Sequence, residues 1–315
     1  MKILTVKICL SSSGGEIAAE YEVFRQALDR CFNYETKKMK GIILAGGTAT
    51  RLFPLTATTS KQLLPVYDRQ MIFYPLNVLI KAGIGEILII VAPDNSGQFL
   101  NLLGSIFQKH DIKVEFMVQK IPKGLADAFI IGEDFIDDDD VMLILGDNIF
   151  EDDLYEKIGS FKKGGMIFVK KVPDPKRYGV VEFDKNLRAI SIEEKPKKPK
   201  SNYCVTGAYV YDSRVVEIAK NLKSSDRGEI EITDINNEYL KTGNLAVKKL
   251  KGAWLDAGTF DSLLEAGNIV KDRKMYKKFD PIIGNAIKEL NAELKNIAKN
   301  ALFRGQNKNT YTINI

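Results

Sequence analysis

The chain has 315 residues, of which 45% are hydrophobic and 28% charged, and its net charge is +5 at neutral pH. This composition is ordinary for a globular protein with a large core, and no apolar run approaches the roughly 20 residues that span a bilayer. Three scattered cysteines and a single histidine argue against a disulfide framework, a zinc site and a Ser–His–Asp triad.

The mild excess of positive charge suits small anionic substrates. The one dense basic run, residues 195–200, has no interleaved aromatic side chains, so we interpret it as a solvated loop and not as a nucleic-acid site. No convincing cleavage site follows the apolar residues near the start, so we expect no signal peptide. We therefore predict a cytoplasmic protein with no nucleic-acid partner and no membrane partner.

Residues 1–38 are predicted to be an N-terminal extension. The apolar side chains in this segment recur at alternating spacings of four and three, as on one face of an amphipathic helix. They are Ile17, Tyr21, Phe24, Leu28 and Cys31. Such a face packs either on the rest of the chain or on another subunit, and the sequence leaves both possibilities open.

Strands and helices alternate over residues 40–152. Continuous apolar runs, typical of parallel strands buried on both faces, predict strands over residues 42–44, 86–92, 114–118 and 141–145. Helical periodicity predicts helices over residues 71–82 and 125–135. This alternation predicts an α/β fold with a doubly wound, mostly parallel mixed sheet flanked by helices, as in a Rossmann-like domain.

The second half of the chain is predicted to mix strands and helices. We expect strands over residues 180–183, 189–192, 203–211 and 245–251, and helices over residues 214–222, 229–241 and 260–272. Thr259 is a plausible N-cap for the last of these helices. The main domain would then cover residues 39–272.

Residues 273–315 are predicted to form a helical tail. Its apolar residues lie on one stripe: Ile283, Ile287, Leu290, Leu294, Ile297 and Ala301. A lone helix of this length is marginal in water, so the stripe must pack on protein. We expect a homo-oligomer in which the tail contributes to the subunit interface, with packing on the same chain as the alternative.

A glycine-rich loop follows the first predicted strand. Gly46 and Gly47 end the apolar run, and Arg51 follows them. Glycines at this place let backbone N–H groups approach a phosphate, while Arg51 and Lys61 add positive charge. The loop matches neither the P-loop nor the dinucleotide-binding pattern. It suits a nucleotide with several phosphates, although a plain strand-to-helix turn is the alternative on spacing alone.

Polar residues elsewhere suggest further parts of a site. Asp147 ends a buried strand, where ligands of open α/β sheets bind, and its carboxylate suits Mg²⁺. Gln119 carries both a donor and an acceptor, which suits a pyrimidine edge, although composition alone predicts a surface residue. Glu194 and Lys195 are neighbours of opposite charge, and the sequence alone predicts an exposed ion pair in a loop.

The strings LAGGTATRLFPLT and SKQLLPVYDRQMIFYPL resemble the nucleotidyltransferase family that activates sugar 1-phosphates. The resemblance extends from about residue 39 to about residue 271 and includes several motifs in the expected order. It implies an Mg²⁺-dependent enzyme that transfers a nucleotidyl group from dTTP to glucose 1-phosphate and releases pyrophosphate. It also implies a homo-oligomer, and a domain that opens at Met39. UTP as the nucleotide, or binding of nucleotide sugars without catalysis, are the alternatives.

The same resemblance implies a role for individual residues. Arg51, Lys61, Asp147 and Lys195 would be catalytic, and Asp147 and Asp256 would share one Mg²⁺. Nucleotide binding would involve Leu44, Gly46, Gly47, Thr48, Ala49, Thr50, Arg51, Gln62, Gln119 and Gly124. The sugar phosphate would contact Gly179, Glu194, Lys195 and Val205.

Two positions depart from the family pattern. Ala49 stands where the usual loop has glycine, and a positive φ there would cost roughly 1–2 kcal/mol. We expect such a cost to weaken triphosphate binding without abolishing it. Phe260 stands where members of the family often have histidine, which alters local packing but removes no expected metal ligand.

Overall fold

A computed structural model describes residues 38–47, 49–107, 112–186, 188–289, 292 and 295. Its strands are β1 (Met39–Ala45), β2 (Pro65–Val66), β3 (Arg69–Gln70), β4 (Glu86–Val91), β5 (Lys113–Val118), β6 (Asp140–Leu145), β7 (Asn148–Phe150), β8 (Gly165–Lys171), β9 (Gly179–Phe183), β10 (Ala189–Glu194), β11 (Tyr203–Tyr211), β12 (Leu245–Lys249) and β13 (Trp254–Asp256). Nine of these strands form one mixed sheet within the described residues.

The helices flank this sheet and connect its strands. They are α1 (Phe73–Lys81), α2 (Ser96–Phe107), α3 (Asp127–Ile131), α4 (Glu133–Ile136), α5 (Tyr155–Ile158), α6 (Val215–Asn221), α7 (Ile232–Lys241), α8 (Phe260–Asp272) and α9 over residues 281–289. Short 3₁₀ turns lie at Thr50–Leu52, Lys61–Leu63, Pro93–Asn95 and Met275–Lys277. No helix in the described ranges is long and apolar enough to cross a membrane.

The sheet has a parallel half and an antiparallel half. Its main path has the order β10-β9-β11-β6-β1-β4-β5, and β8 pairs with both β11 and β12. Strands β6, β1, β4 and β5 are parallel to one another, whereas β11 runs antiparallel to β6, β8 and β9. The predicted doubly wound, mostly parallel mixed sheet is therefore confirmed.

In the parallel half, β1, β4 and β6 are buried on both faces, as their continuous apolar runs predict, whereas the edge strand β5 is only partly buried. In β1, Ile42 and Leu44 pack in the apolar layer on one face, and Ile43 and Ala45 pack in the layer on the other. Successive side chains of a strand point to opposite faces, so one short apolar run joins two cores. These two layers hold the carboxyl ends of the strands in place.

Most predicted elements are present, and α8 has the predicted bounds. Thr259 is its N-cap, and its side chain forms a capping box with Ser262. The single helix predicted over residues 125–135 is wrong, because α3 and α4 meet at Gly132. A β-carbon there would lie 3.1 Å from the side chains of Ile42 and Leu88, so the chain passes close to the sheet at this point.

Two of the longer elements, β8 and α2, were not predicted, nor were the short elements β2, β3, β7, β13 and α5, and one helix starts later than expected. Strand β8 has lysines on both sides of a short apolar stretch, which is as typical of a surface loop as of a strand. Helix α2 contains Gly97 and Gly104, which lower its helical propensity. Helix α7 begins at Ile232, after the predicted start at residue 229.

The beginning of the tail packs on its own chain. Ile283 and Ala286 are fully buried in the same apolar layer as β1 and β4, and Ile287 packs against that layer. This part of the stripe follows the alternative prediction and not the predicted interface. Leu290, Leu294, Ile297 and Ala301 lie outside the described residues, as does the apolar face predicted within residues 1–37.

Candidate active site

A cavity of about 370 Å³ opens between the carboxyl ends of the parallel strands and the antiparallel half. Crevices at this end of an α/β sheet are the usual place for ligands. Its lining includes Arg51, Asp147, Asn148, Arg177, Tyr178, Gly179, Glu194, Lys195, Val205, Tyr209, Glu231, Thr233, Trp254 and Asp256. The cavity therefore contains the predicted metal and sugar-phosphate residues together with Arg51.

A two-stranded ribbon brings the two aspartates to this cavity. Strand β7 pairs with β13 in a register that sets Asn148 opposite Asp256, and the backbone N–H of Ala257 donates to the carbonyl of Asp147. Asn148 donates from Nδ2 to Asp147 at 2.9 Å and accepts at Oδ1 from the indole N–H of Trp254. The ribbon thus holds both carboxylates on one wall.

The two carboxylates have opposite pKa shifts. Burial raises the pKa of Asp147, but the ammonium of Lys61, at 2.5 Å, and the Asn148 amide outweigh it and bring this pKa below its usual value. Burial and the nearby charge of Asp147 raise the pKa of Asp256 above its usual value. The charged form of Asp256 is therefore stabilised only in part by its surroundings, and a cation bound between the two carboxylates would stabilise it further.

The donor set fits Mg²⁺. This ion is usually held by one or two carboxylates, with water and substrate phosphates completing the shell. The described residues contain no group of three or more His, Cys, Asp or Glu that could hold a metal without a substrate. Asp147 and Asp256 therefore suit an ion that enters with a phosphate ligand.

Two residues of the glycine loop, Gly47 and Ala49, have left-handed backbone conformations. Gly47 has a φ of 100°, and Ala49 has φ 47° and ψ 31°. The carbonyl of Ala49 accepts from the N–H of Leu52 and the hydroxyl of Thr56, which fixes this conformation. The positive φ considered for Ala49 is therefore present. Thr48 lies outside the described residues.

Arg51 extends from this loop toward the aspartates. Thr50 starts the 3₁₀ turn that carries it. An atom of the Arg51 guanidinium lies 2.9 Å from the position that a β-carbon on Gly258 would occupy, beside the carboxylate of Asp256. Gly258 therefore leaves room for the Arg51 guanidinium. From this position, Arg51 can bind an anionic ligand next to the aspartates.

The predicted base-reading residues lie at the strand ends beside the loop. Gln119 is buried, so the surface location that composition alone predicts is wrong. Gln62 is buried as well, with its side chain against Gly146, next to Asp147. The backbone N–H of Gly146 donates to the carbonyl of Leu44 at 3.0 Å, which joins the ends of β1 and β6.

Gly124 has a structural reason to be glycine. Its φ is 102°, and a β-carbon there would lie 2.5 Å from the backbone oxygen of Ile230. The residue lets the segment after β5 pack against the segment before α7. Gly124 does not line the cavity, so the structure gives it a packing role in addition to the predicted contact with the nucleotide.

The sugar-phosphate residues lie together on the antiparallel side. A β-carbon on Gly179 would lie 3.1 Å from the Thr233 hydroxyl, 3.3 Å from Glu194 and 3.6 Å from Val205. Thr233 donates to Glu194 at 2.6 Å, and the Lys195 ammonium lies 3.6 Å from the same carboxylate. This arrangement offers acceptors for hydroxyl groups and one cation for a phosphate.

Tyr178, which lines the cavity, and Arg227, which lies beside it, were not predicted as site residues. Tyr178 donates to Asp256 at 3.4 Å, and its ring contacts Trp254. Arg227 pairs with Glu231 at 2.7 Å and lies 3.6 Å from Glu194. In the sequence, Tyr178 precedes Gly179, and Arg227 precedes Gly228 and Glu229. A polar or aromatic residue in such a short motif was the sequence signal that could have predicted a site residue.

Comparison with known proteins identifies the family to which the chain belongs. The chain matches the profile of the nucleotidyl transferase family over residues 40–273. A glucose-1-phosphate thymidylyltransferase of Neisseria meningitidis serogroup A is 53% identical over 239 residues, which are 74% of this chain and 83% of the relative. One of Mycolicibacterium smegmatis is 52% identical over 238 residues, with 74% and 82% covered. The chain belongs to the nucleotidyl transferase family.

Solved structures agree with this assignment. A Bacillus anthracis relative, crystallised in complex with a sucrose, is 44% identical and superposes with a TM-score of 0.70 over 74% of this chain and 96% of that one. A UDP-glucose pyrophosphorylase complexed with UDP-glucose superposes with a TM-score of 0.66 at 23% identity, over 75% of this chain and 99% of that one. The second likeness concerns the fold alone.

Proposed function

We propose that this chain is a glucose-1-phosphate thymidylyltransferase, which converts dTTP and glucose 1-phosphate into dTDP-glucose and pyrophosphate. The observation that carries this proposal is the cavity itself. One wall has the buried carboxylate of Asp147 and the half-buried carboxylate of Asp256 with Lys61 and Arg51 beside them, and the other has Glu194, Lys195 and Thr233. A nucleotide triphosphate suits the first wall and a sugar phosphate suits the second.

The reaction needs positioning and charge, with no covalent step on the protein. A phosphate oxygen of glucose 1-phosphate attacks the α-phosphorus of dTTP in line, and pyrophosphate leaves from the opposite side. Glu194, oriented by Thr233, accepts hydrogen bonds from sugar hydroxyls, and Lys195 neutralises the attacking phosphate. The sugar phosphate is thereby held facing the nucleotide.

The parallel side would stabilise the charge that develops on the nucleotide. Arg51 and the backbone N–H groups of the loop would bind the leaving pyrophosphate. Lys61 can exchange its ion pair with Asp147 for a contact with a phosphate. Mg²⁺ bound by Asp147 and Asp256 would neutralise charge on the phosphate oxygens.

UTP is the closest alternative nucleotide. Thymine and uracil differ by one methyl group, which is worth about 1–3 kcal/mol in a pocket. A non-catalytic binding protein is the other alternative. The presence of Arg51, Lys61, Asp147, Lys195 and Asp256 in the expected places argues against it.

A pyrophosphate-release assay with glucose 1-phosphate and dTTP, UTP, ATP or CTP tests the proposal. We expect release with dTTP, slower release with UTP, and little with ATP or CTP. Omission of glucose 1-phosphate is the control, and it should abolish release. No release with any nucleotide, at saturating Mg²⁺, would contradict the proposal.

We also propose that the working enzyme is a cytoplasmic homo-oligomer. Two side chains at the exposed surface of α8 support this proposal, since Phe260 is 48% exposed and Leu264 is 69% exposed. Tyr67, in the loop next to this helix, is 46% exposed. Apolar surface of this kind is often covered by a partner. A mass of one chain, measured by light scattering, would contradict the proposed homo-oligomer.

A further inference from the structure

A buried pair of polar side chains lies beside the glycine loop, and the reaction described above does not use one of its members. Gln119 follows β5 and Asp127 is the first residue of α3. The amide Nε2 of Gln119 donates to Oδ2 of Asp127 at 2.8 Å. The two residues are only 5% and 7% exposed, so water offers little competition for this bond.

The carboxylate of Asp127 determines which way the Gln119 amide faces. An ionised carboxylate only accepts hydrogen bonds, so the amide must turn its NH₂ group toward it. The flipped amide would set two acceptor oxygens against each other in a buried place, where neither oxygen has a donor. The amide oxygen is therefore directed away from Asp127.

That oxygen faces the glycine loop. The Oε1 atom of Gln119 lies 2.9 Å from the position that a β-carbon on Gly46 would occupy. The backbone N–H of Gln119 donates to the carbonyl of Val91 at 2.9 Å, which anchors the residue at the sheet edge. A base bound beside Gly46 therefore meets an acceptor.

We propose that Asp127 is a positioning residue that sets base preference, because it holds the NH₂ group of Gln119 and leaves only an acceptor for the base. This inference rests on the proposed use of a pyrimidine nucleotide at the glycine loop. Thymine and uracil both carry an N–H at ring position 3, which can donate to that acceptor. Cytosine carries an acceptor at the same position, so the two lone pairs repel each other.

The experiment compares equilibrium binding of dTTP and dCTP in the presence of Mg²⁺. The two nucleotides share the deoxyribose and the triphosphate, so only the base differs. We expect wild-type protein to bind dTTP at least about 10-fold more tightly, as expected when a buried acceptor is left unpaired. Asp127→Asn should reduce this preference by about 10-fold, because an amide can donate as well as accept and lets Gln119 flip.

A second substitution keeps the test independent of structural damage. In the double variant Asp127→Asn, Gln119→Glu, the new amide can donate to the new carboxylate, which again offers only acceptors to the base. We expect the preference for dTTP over dCTP to return to within about 3-fold of wild type. Asp134→Asn, an exposed change on neighbouring α4, is the matched control and should leave the preference unchanged.

The outcomes separate this inference from the proposed function. Wild-type protein that binds dTTP and dCTP equally, or an Asp127→Asn variant with an unchanged preference, would overturn the role of Asp127. A preference that falls in the single variant and stays low in the double variant would overturn it too, because it would indicate damage to the fold. Protein that prefers dTTP but releases no pyrophosphate would leave the role of Asp127 in place and contradict the proposed reaction.

Discussion

The parallel and antiparallel halves of the sheet form their parts of the site in different ways. On the parallel side, the glycine loop offers backbone groups, and its shape depends on left-handed residues such as Gly47 and Ala49. On the antiparallel side, Glu194, Thr233 and Arg227 form a network of side chains. Under the proposed function, the glycine loop would bind phosphate through main-chain groups, whereas the antiparallel half would bind its ligand through hydrogen-bonded charged side chains.

This difference indicates which changes each half tolerates. A side-chain substitution leaves a backbone N–H in place, so the glycine loop is sensitive mainly to residues that alter φ and ψ. A network of charged hydrogen bonds loses orientation when one member is removed. The ribbon of β7 and β13 joins the two halves, and damage there should affect both.

The largest expected effect is at this junction. Asp147→Asn removes a charge that both the proposed Mg²⁺ and Lys61 require, and we expect turnover to fall by about 10²-fold or more. The rate of pyrophosphate release at saturating Mg²⁺ measures it. Asp153→Asn is the control, because it breaks an exposed ion pair with Lys81 and should leave the rate near that of wild type. Full activity of the Asp147→Asn variant would mean that the metal lies elsewhere.

A smaller and more selective effect is expected in the antiparallel half. Thr233→Val keeps the shape of the side chain but removes the hydroxyl that donates to Glu194 at 2.6 Å. We expect KM for glucose 1-phosphate to rise about 10-fold, since a hydrogen bond to a charged group is worth about 1.5–3 kcal/mol. KM for dTTP should change little, and Thr233→Ser should restore the wild-type value. A change confined to dTTP would reverse the assignment of the two halves.

The smallest expected effect is in the glycine loop and concerns stability. Ala49→Gly relieves a left-handed conformation that costs about 1–2 kcal/mol in alanine, and the greater freedom of glycine in the unfolded chain offsets part of this gain. We expect the melting temperature to rise by about 2 °C. Ala82→Gly, at a φ of −75°, is the control and should lower it. A similar decrease in both variants would show that the loop is unstrained.

Local sequence patterns predicted the parallel half well. The runs in β1, β4 and β6 are apolar without interruption because both faces are buried, and a pattern of that kind is readable without tertiary information. The Thr259 cap of α8 is equally local. The split between α3 and α4 depends instead on how close Gly132 lies to the sheet, which sequence spacing does not contain.

The site was only partly predictable for the same reason. The resemblance implied a shared metal for Asp147 and Asp256, but the pairing of β7 with β13 is what places them on one wall. The bond from Thr233 to Glu194 joins different elements, β10 and α7, and no local pattern marks it. Burial of Gln119 also depends on tertiary packing, and polar composition alone predicted the opposite.

The β7–β13 ribbon also determines when the site can be completed during protein synthesis. A chain that has reached residue 250 already contains β1, β4, β5 and β6, together with Lys61 and Asp147, but β7 still lacks its partner strand. Domains generally fold as units while the ribosome extends them, at about 5–20 residues per second. Asp256 therefore reaches the site only after the glycine loop and Asp147 have been synthesised, and a nascent chain contains the first carboxylate before it contains the second.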